Sequence, residues 1–231
     1  MLVVIFLAFL IVVVSFISAY LSMKDFQDFP EEKLGYSLFL IRNLSFFNKA
    51  FLDHLREKTL NHATLISFER LFKGKKTALV VYGPKTLLEQ YADELALLEL
   101  EDYHDKLSKK DLFCWEVTPM RGKREDIFAS FLKVYLKDDE QILLQFVLEP
   151  LKIGKNFQVT GRVGVVAEDS SRRADIAKEV DNLLLTKASF RKKKTGRKTI
   201  QVYDAFKKRA LVPKEVSKSD LSSQEITEIM Q

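Results

Sequence analysis

The chain has 231 residues, 47% of them hydrophobic, with only eight Gly and five Pro, so long disordered linkers are not expected in its middle. One cysteine, Cys114, excludes an intramolecular disulfide, and His54, His62 and His104 add no zinc-ligand spacing. The net charge of +5 is uneven: between positions 190 and 210 nine basic residues stand against Asp204 alone, leaving that segment +8 and the remainder −3.

Residues 1–21 contain no charged side chain, no Gly and no Pro, and the run is apolar all the way round. About 20 helical residues span a hydrocarbon core of about 30 Å. Within lipid the backbone has to satisfy its own hydrogen bonds, which favours a helix. A transmembrane helix is therefore predicted over 1–22, with Tyr20 as an interfacial anchor. A cleaved signal peptide would carry a basic leader, a shorter core and a small-x-small site, but only Met1 precedes the run. Residues 23–33 form a polar connector containing Pro30.

Two passes through one order of elements follow. Residues 34–42 predict a strand, and Ser45 is the expected cap of a helix carrying Phe47, Ala50, Phe51 and Leu55. The 64–72 and 77–82 segments predict a hairpin turning at 73–76. Pro84 suits the first turn of a helix with Leu87, Leu88, Tyr91 and Leu95, and 97–103 supplies a closing strand. The second pass predicts a strand at 113–118 and a helix at 124–136, with Ile127, Phe128, Phe131, Leu132 and Tyr135 on one face. Strands at 141–148 and 157–167 follow around a 150–156 loop, then a helix at 170–185 and a closing strand at 199–203.

The expected class is α+β: a transmembrane helix followed by two tandem ferredoxin-like (β-α-β-β-α-β) domains. Their expected bounds are 34–110 and 111–210, the second with a basic insertion at 190–198. A polar tail at 211–231 carries a capping box, Ser222 to Glu225, for a short helix that forms either alone or on a partner.

Motifs for chemistry are sparse. Gly74-Lys75-Lys76-Thr77 resembles the end of a phosphate loop, but Glu69 occupies the position where the first glycine is needed. Gly196-Arg197-Lys198-Thr199 fails similarly. The acidic groups fall on a strand end (Glu99, Glu101, Asp102) and in a helix-to-strand turn (Asp138, Asp139, Glu140), positions expected to be solvated, and neither has EF-hand spacing. No catalytic, cofactor-binding or metal-ligating residue is assigned, and the chain is not read as an enzyme. The sharpest charged feature is Arg191, Lys192, Lys193, Lys194, Arg197 and Lys198. These residues suit anionic lipid, nucleic-acid phosphates or a solvated loop.

Two stretches carry a family resemblance. Residues 66–103 (ISFERLFKGKKTALVVYGPKTLLEQYADELALLELEDY) are similar to the membrane-proximal region of conjugation-type ATPases of the type IV secretion class. So are residues 138–151 (DDEQILLQFVLEPL), with Glu140, Gln141, Gln145 and Pro150. In that family a sheet hairpin is followed by a helix and an acidic strand, and a motor domain comes after. The resemblance implies a bacterial anchoring module without the motor, a non-enzymatic scaffold that positions a separate ATPase or secretion subunit. It also implies the inner or plasma membrane, with the soluble part in the cytoplasm. The basic 190–210 segment agrees with that orientation. A membrane-tethered nucleic-acid-binding protein is the alternative, and self-association is left open.

Overall fold

Short segments rich in β-branched and aromatic residues become strands, and longer 3.6-period segments become helices. In chain order these are β1 (Tyr36–Ile41), α1 (Lys49–Leu60), β2 (Ile66–Lys73), β3 (Lys76–Pro84) and the one-turn α2 (Lys85–Leu88). Next come β4 (Leu98–Leu100), β5 (Leu112–Pro119), α3 (Ile127–Phe131), β6 (Gln141–Pro150) and β7 (Asn156–Val166). The chain closes with α4 (Ser170–Lys187), β8 (Phe190–Lys192), α5 (Thr199–Lys207), β9 (Ser219–Ser222) and α6 (Ser223–Met230). This computed structural model describes Ser15 and residues 35–60, 64–119, 127–187, 190–192, 199–211 and 219–230. The expected transmembrane helix and connector lie outside the described residues, Ser15 apart. Among the described residues no helix is long and apolar enough to cross a membrane.

The class is α+β, as expected. The sheet runs β4-β1-β3-β2-β6-β7-β5-β8, with β9 on β7, and these pairings are antiparallel. The two halves mirror each other. Counting strands within each half, the first pairs as 4-1-3-2 and the second as 2-3-1-4, so the second strands of both halves meet at the centre. There β2 and β6 pair from Ile66 opposite Leu148 to Lys73 opposite Gln141. The β2–β3 turn places Gly74 at φ +54, the positive value that the first position of a type II′ turn requires.

One sheet face carries Phe68, Phe72, Leu144, Phe146, Val163 and Val165, packed under the helices. Against it α1 buries Phe51, Leu52 and Leu55, and α4 buries Ile176, Val180 and Leu184. Each such side chain contributes about 1.5–3 kcal/mol on burial. The C-terminal segment is also part of this core. β9 extends the sheet along Asn156 to Val159, and α6 buries Ile226, Ile229 and Met230. The Ser222–Glu225 capping box forms as the sequence predicts: the Ser222 amide donates to Oε2 at 2.9 Å, and the Glu225 amide donates to Ser222 Oγ at 3.3 Å. Arg56 of α1 also reaches the second half, donating to the carbonyls of Leu151 (2.6 Å) and Asn156 (3.3 Å) in the β6–β7 loop region.

Several expectations are corrected. Residues 199–203 are helical, because Val202, Tyr203 and Phe206 share a helix face that seals a second, smaller core with Leu112, Cys114 and Leu143. The closing strand is instead β8, inside the expected basic insertion. Asn48, not Ser45, caps α1 by accepting from the Phe51 amide at 3.0 Å. The helix expected at 124–136 ends at Phe131, where bonds from Lys133 to Ser130 and from Val134 to Phe131 tighten the chain. Val134 and Leu136 then turn inward, leaving Tyr135 exposed. After Pro84 the helix lasts one α-turn and a 3-10 turn, and Ala96 at φ +48 lies beyond it.

The second core depends on a glycine. A Cβ at Gly164 would lie 3.0 Å from Leu112 Cδ1 and 3.1 Å from Phe206 Cζ. Gly164→Val is expected to lower stability by about 1–3 kcal/mol through overpacking. Urea unfolding checks this, and an unchanged midpoint would contradict so close an approach of α5.

Candidate functional site

Strand alternation gives β2 two different faces. Phe68 and Phe72 enter the main core, while Ser67, Glu69 and Leu71 face the other way. Register then lines up polar residues across four strands: Glu69 lies opposite Gln145, Gln145 opposite Arg162, and Arg162 opposite Glu116. All four are at most 2% exposed. Arg162 Nη1 donates to Gln145 Oε1 at 2.9 Å, and its Nε lies 3.9 Å from Glu116 Oε1.

The segment carrying α5 covers this rung. Gln145 Nε2 donates to the Phe206 carbonyl at 3.0 Å, and Arg162 Nη2 donates to the Ala210 carbonyl. The helix ends with Arg209 at φ +49, a left-handed conformation that costs a non-glycine residue roughly 1–2 kcal/mol. Bonds from the Arg209 amide to the Phe206 carbonyl (3.2 Å) and from Ala210 to Ala205 (3.0 Å) form a Schellman-type stop.

From that stop the Arg209 side chain enters the cluster. Nε donates to Glu69 Oε1 at 2.6 Å, while Nη1 and Nη2 grip Asp102 at 2.5 and 3.0 Å. Its guanidinium lies 4.2 Å from the Tyr82 ring centroid. Glu69 also accepts from Ser67 (3.0 Å), Gln145 (3.1 Å) and the Tyr103 hydroxyl. Burial alone would raise the Glu69 pKa, but the Arg209 charge, with His104 and the bonds from Arg209 and Tyr103, holds it at about 2. Burial likewise opposes ionisation of Asp102, and Arg209 outweighs it, so the carboxyl titrates below its ordinary value.

His104 adds a second element. Its Nδ1 lies 3.1 Å from the Lys207 carbonyl, which can only accept, so Nδ1 carries the proton. Nε2 lies 3.5 Å from Glu69 Oε2, without hydrogen-bond geometry to it. The ring stacks on Phe206 at 4.9 Å. Burial lowers its pKa, with Glu69 pulling the other way and Arg209 reinforcing the drop.

The arrangement clamps one chain segment to the sheet. Glu69, His104 and Arg209 are 1%, 1% and 4% exposed, so a substrate has no approach to them. Glu140, expected in a solvated turn, is 2% exposed and pairs with Arg172 at 3.1 Å. Asp102, expected at a solvated strand end, is half-buried and belongs to the cluster through Arg209. Among the described residues no group of His, Cys, Asp and Glu could hold a metal ion. Cys114 is buried, and burial pushes its thiol up to about 12, so it is an inert core residue.

Of the expected contact residues, Arg191 and Lys192 lie exposed on β8, and Lys192 Nζ sits 5.1 Å from the Trp115 ring centroid. Lys193, Lys194, Arg197 and Lys198 lie outside the described residues. Arg209, counted within the basic segment, is neutralised internally. The sequence reading noticed Glu69 only as a residue that spoils a phosphate loop. The missed signal was a long polar side chain interrupting the mostly apolar middle of each of four strands: Glu69 in β2, Gln145 in β6, Arg162 in β7 and Glu116 in β5. No family model matches the chain, and no curated protein matches it.

Removing Arg209 strands a buried carboxylate. Arg209→Met is expected to cost about 3–5 kcal/mol in urea unfolding, part of it recovered when Glu69→Gln is added. A loss below about 1 kcal/mol would overturn the clamp.

The pH dependence separates the two titrating groups. Because the folded His104 binds its proton less readily than the unfolded chain, stability is expected to fall as pH drops through the ordinary value of 6.5. The Glu69 contribution is fully present above 4.5 and is lost only as pH falls toward about 2. His104→Gln is therefore expected to flatten the unfolding midpoint between pH 7 and 5, which denaturation at stepped pH measures.

Proposed function

We propose that the chain is a non-enzymatic, membrane-tethered scaffold subunit of a bacterial secretion, conjugation or pilus-type machine. In this reading residues 1–22 are a transmembrane anchor in the inner or plasma membrane. Residues 34–210 are two ferredoxin-like modules, facing the cytoplasm, that position a separate ATPase or secretion subunit. What supports the anchor is the uninterrupted apolar run at 1–21. What supports the paired modules is the repeated β-α-β-β-α-β order with its mirrored strand pairing.

The observation that carries the scaffold reading is the β2–β6 seam. Eight facing residue pairs fuse the halves into one sheet, and Arg56 bridges them again on the helix side. A seam of that length holds the two halves as one rigid platform, which suits positioning better than a hinge. The titratable groups of the buried cluster are committed to one another, which fits a load on the fold and not turnover.

A second reading, a tethered nucleic-acid-binding protein, draws on the exposed Arg191 and Lys192. One set of experiments separates the two. The full-length tagged chain, cross-linked in its cells of origin, is expected to sediment with membranes, resist carbonate extraction and co-purify with an ATPase or secretion subunit. Recovery in the soluble fraction, or without such a subunit, rejects the scaffold. Under the nucleic-acid reading the same protein instead binds duplex DNA with a steep salt slope, about 0.9 per phosphate contact, that flattens on neutralising Lys192, Lys193 and Lys194.

A further inference from the structure

We propose that the cleft between the start of α1 and the 89–94 segment is a receptor for an arginine side chain of a partner polypeptide. The inference goes beyond the scaffold reading and stands on the geometry of the cleft alone.

Two buried rings form its floor. Phe51 and Tyr91 are 3% and 5% exposed, and their centroids lie 5.1 Å apart at 87°. Phe46 stands at the rim, 36% exposed and 6.4 Å from Phe51. The His54 ring closes another side, 5.7 Å from Tyr91 at 81°, and its Nδ1 lies 3.1 Å from the Tyr91 hydroxyl. The cleft is half open to solvent, and its volume, about 310 Å³, is at the small end of ligand sites, with room for one long side chain together with part of its backbone.

Charge selects the occupant. Glu94 lines the mouth, and its carboxylate has no cationic partner among the described residues. The nearby Lys49 is engaged by Asp53 at 2.6 Å. Burial, with the Glu94 charge added, raises the Tyr91 pKa, so the phenol keeps its proton and its neutral ring. Aromatic faces carry negative potential and attract a cation, whereas the carboxylate repels an anion. Between the common cations, a planar guanidinium matches flat ring walls and grips a carboxylate through two parallel bonds. An ammonium is a compact, strongly hydrated charge with neither property.

The test uses the detergent-solubilised full-length chain, with N-acetylarginine N-methylamide and its citrulline counterpart as probes. Citrulline keeps the shape and hydrogen-bonding urea but loses the charge. Amide NMR shifts of residues 46–54 and 89–94 are expected to saturate with the arginine probe at a Kd of roughly 1 mM. The citrulline probe is expected to bind about fivefold more weakly or worse. Glu94→Gln and Phe46→Ala, both at exposed positions, are each expected to weaken arginine binding about 3- to 10-fold, with shifts elsewhere unmoved. Equal binding of the two probes, no saturable shift at the cleft, or full affinity in either variant would each overturn the proposal. The comparison of the two probes needs no variant and decides the matter alone.

Discussion

A carboxylate sits in the middle of a dry sheet face, and much of that side of the fold follows from keeping it ionised. Left alone at 1% exposure, Glu69 would take up a proton or unfold the strand. Arg209 prevents both, but it comes from a position 140 residues away in sequence. To deliver it, the chain has to cross the second face as α5, stop there in a left-handed turn, and leave its last carbonyls facing Gln145 and Arg162. Those two side chains are in turn fixed by the register of β6 and β7. The ion pair, the helix stop and the strand register are thus one constraint seen from three places.

That constraint explains why some of the fold was readable in the sequence and some was not. Strand alternation and turn residues placed β1, the β2–β3 hairpin, β6 and β7 to within a few positions, because those patterns are local. The capping box at Ser222 and Glu225 was legible for the same reason. TIQVY at 199–203 reads as a strand because branched residues favour one, whereas the deciding contact, Phe206 against Gly164, lies between distant segments. The cluster was hidden for a related reason. Glu69, Gln145, Arg162 and Glu116 come together only through register, and each residue read singly resembles an ordinary surface position of a half-exposed strand. The basic segment misled differently. Summed charge suggests one patch, yet Arg209 points inward, while among the described residues Arg191, Lys192 and Lys208 are exposed and Lys207 is half-buried.

The two halves share a strand order but divide their tasks. The helix-covered face is largely apolar, with Arg70 the buried exception between Phe68 and Phe72, and its energy comes mainly from burial. The opposite face carries the polar rung, and its contribution is specificity more than raw stability, since a well-packed apolar set can match a buried ion network. A rung that pairs only in one register penalises every slipped alignment of β2 on β6, where a shift by one residue would bring Phe68 beside the charged partners. On this argument the cluster protects the seam between the halves, the one junction where a misregistered sheet would misplace everything that follows.

With a rigid seam and helices over both faces of the described residues, a partner of the kind proposed has few places there to engage. Among the described residues the terminal strands β4 and β8 have three residues each and β9 has four, and short edges resist the addition of a foreign strand. Face one is filled by helices and face two by α5 with its clamp. Among the described residues, what remains is the outer surface of the helical layer, and there the α1 cleft pairs the half-exposed Phe46 ring, above the buried Phe51 and Tyr91, with a carboxylate that has no cationic partner among those residues. Scattered exposed residues such as Ile153 and Tyr135 have no such companions, and single apolar side chains in water are ordinary. A platform built this way would hold its partner through side-chain insertion at one point of a fixed surface, so the strength of attachment would depend on charge and the geometry of attachment on the sheet beneath.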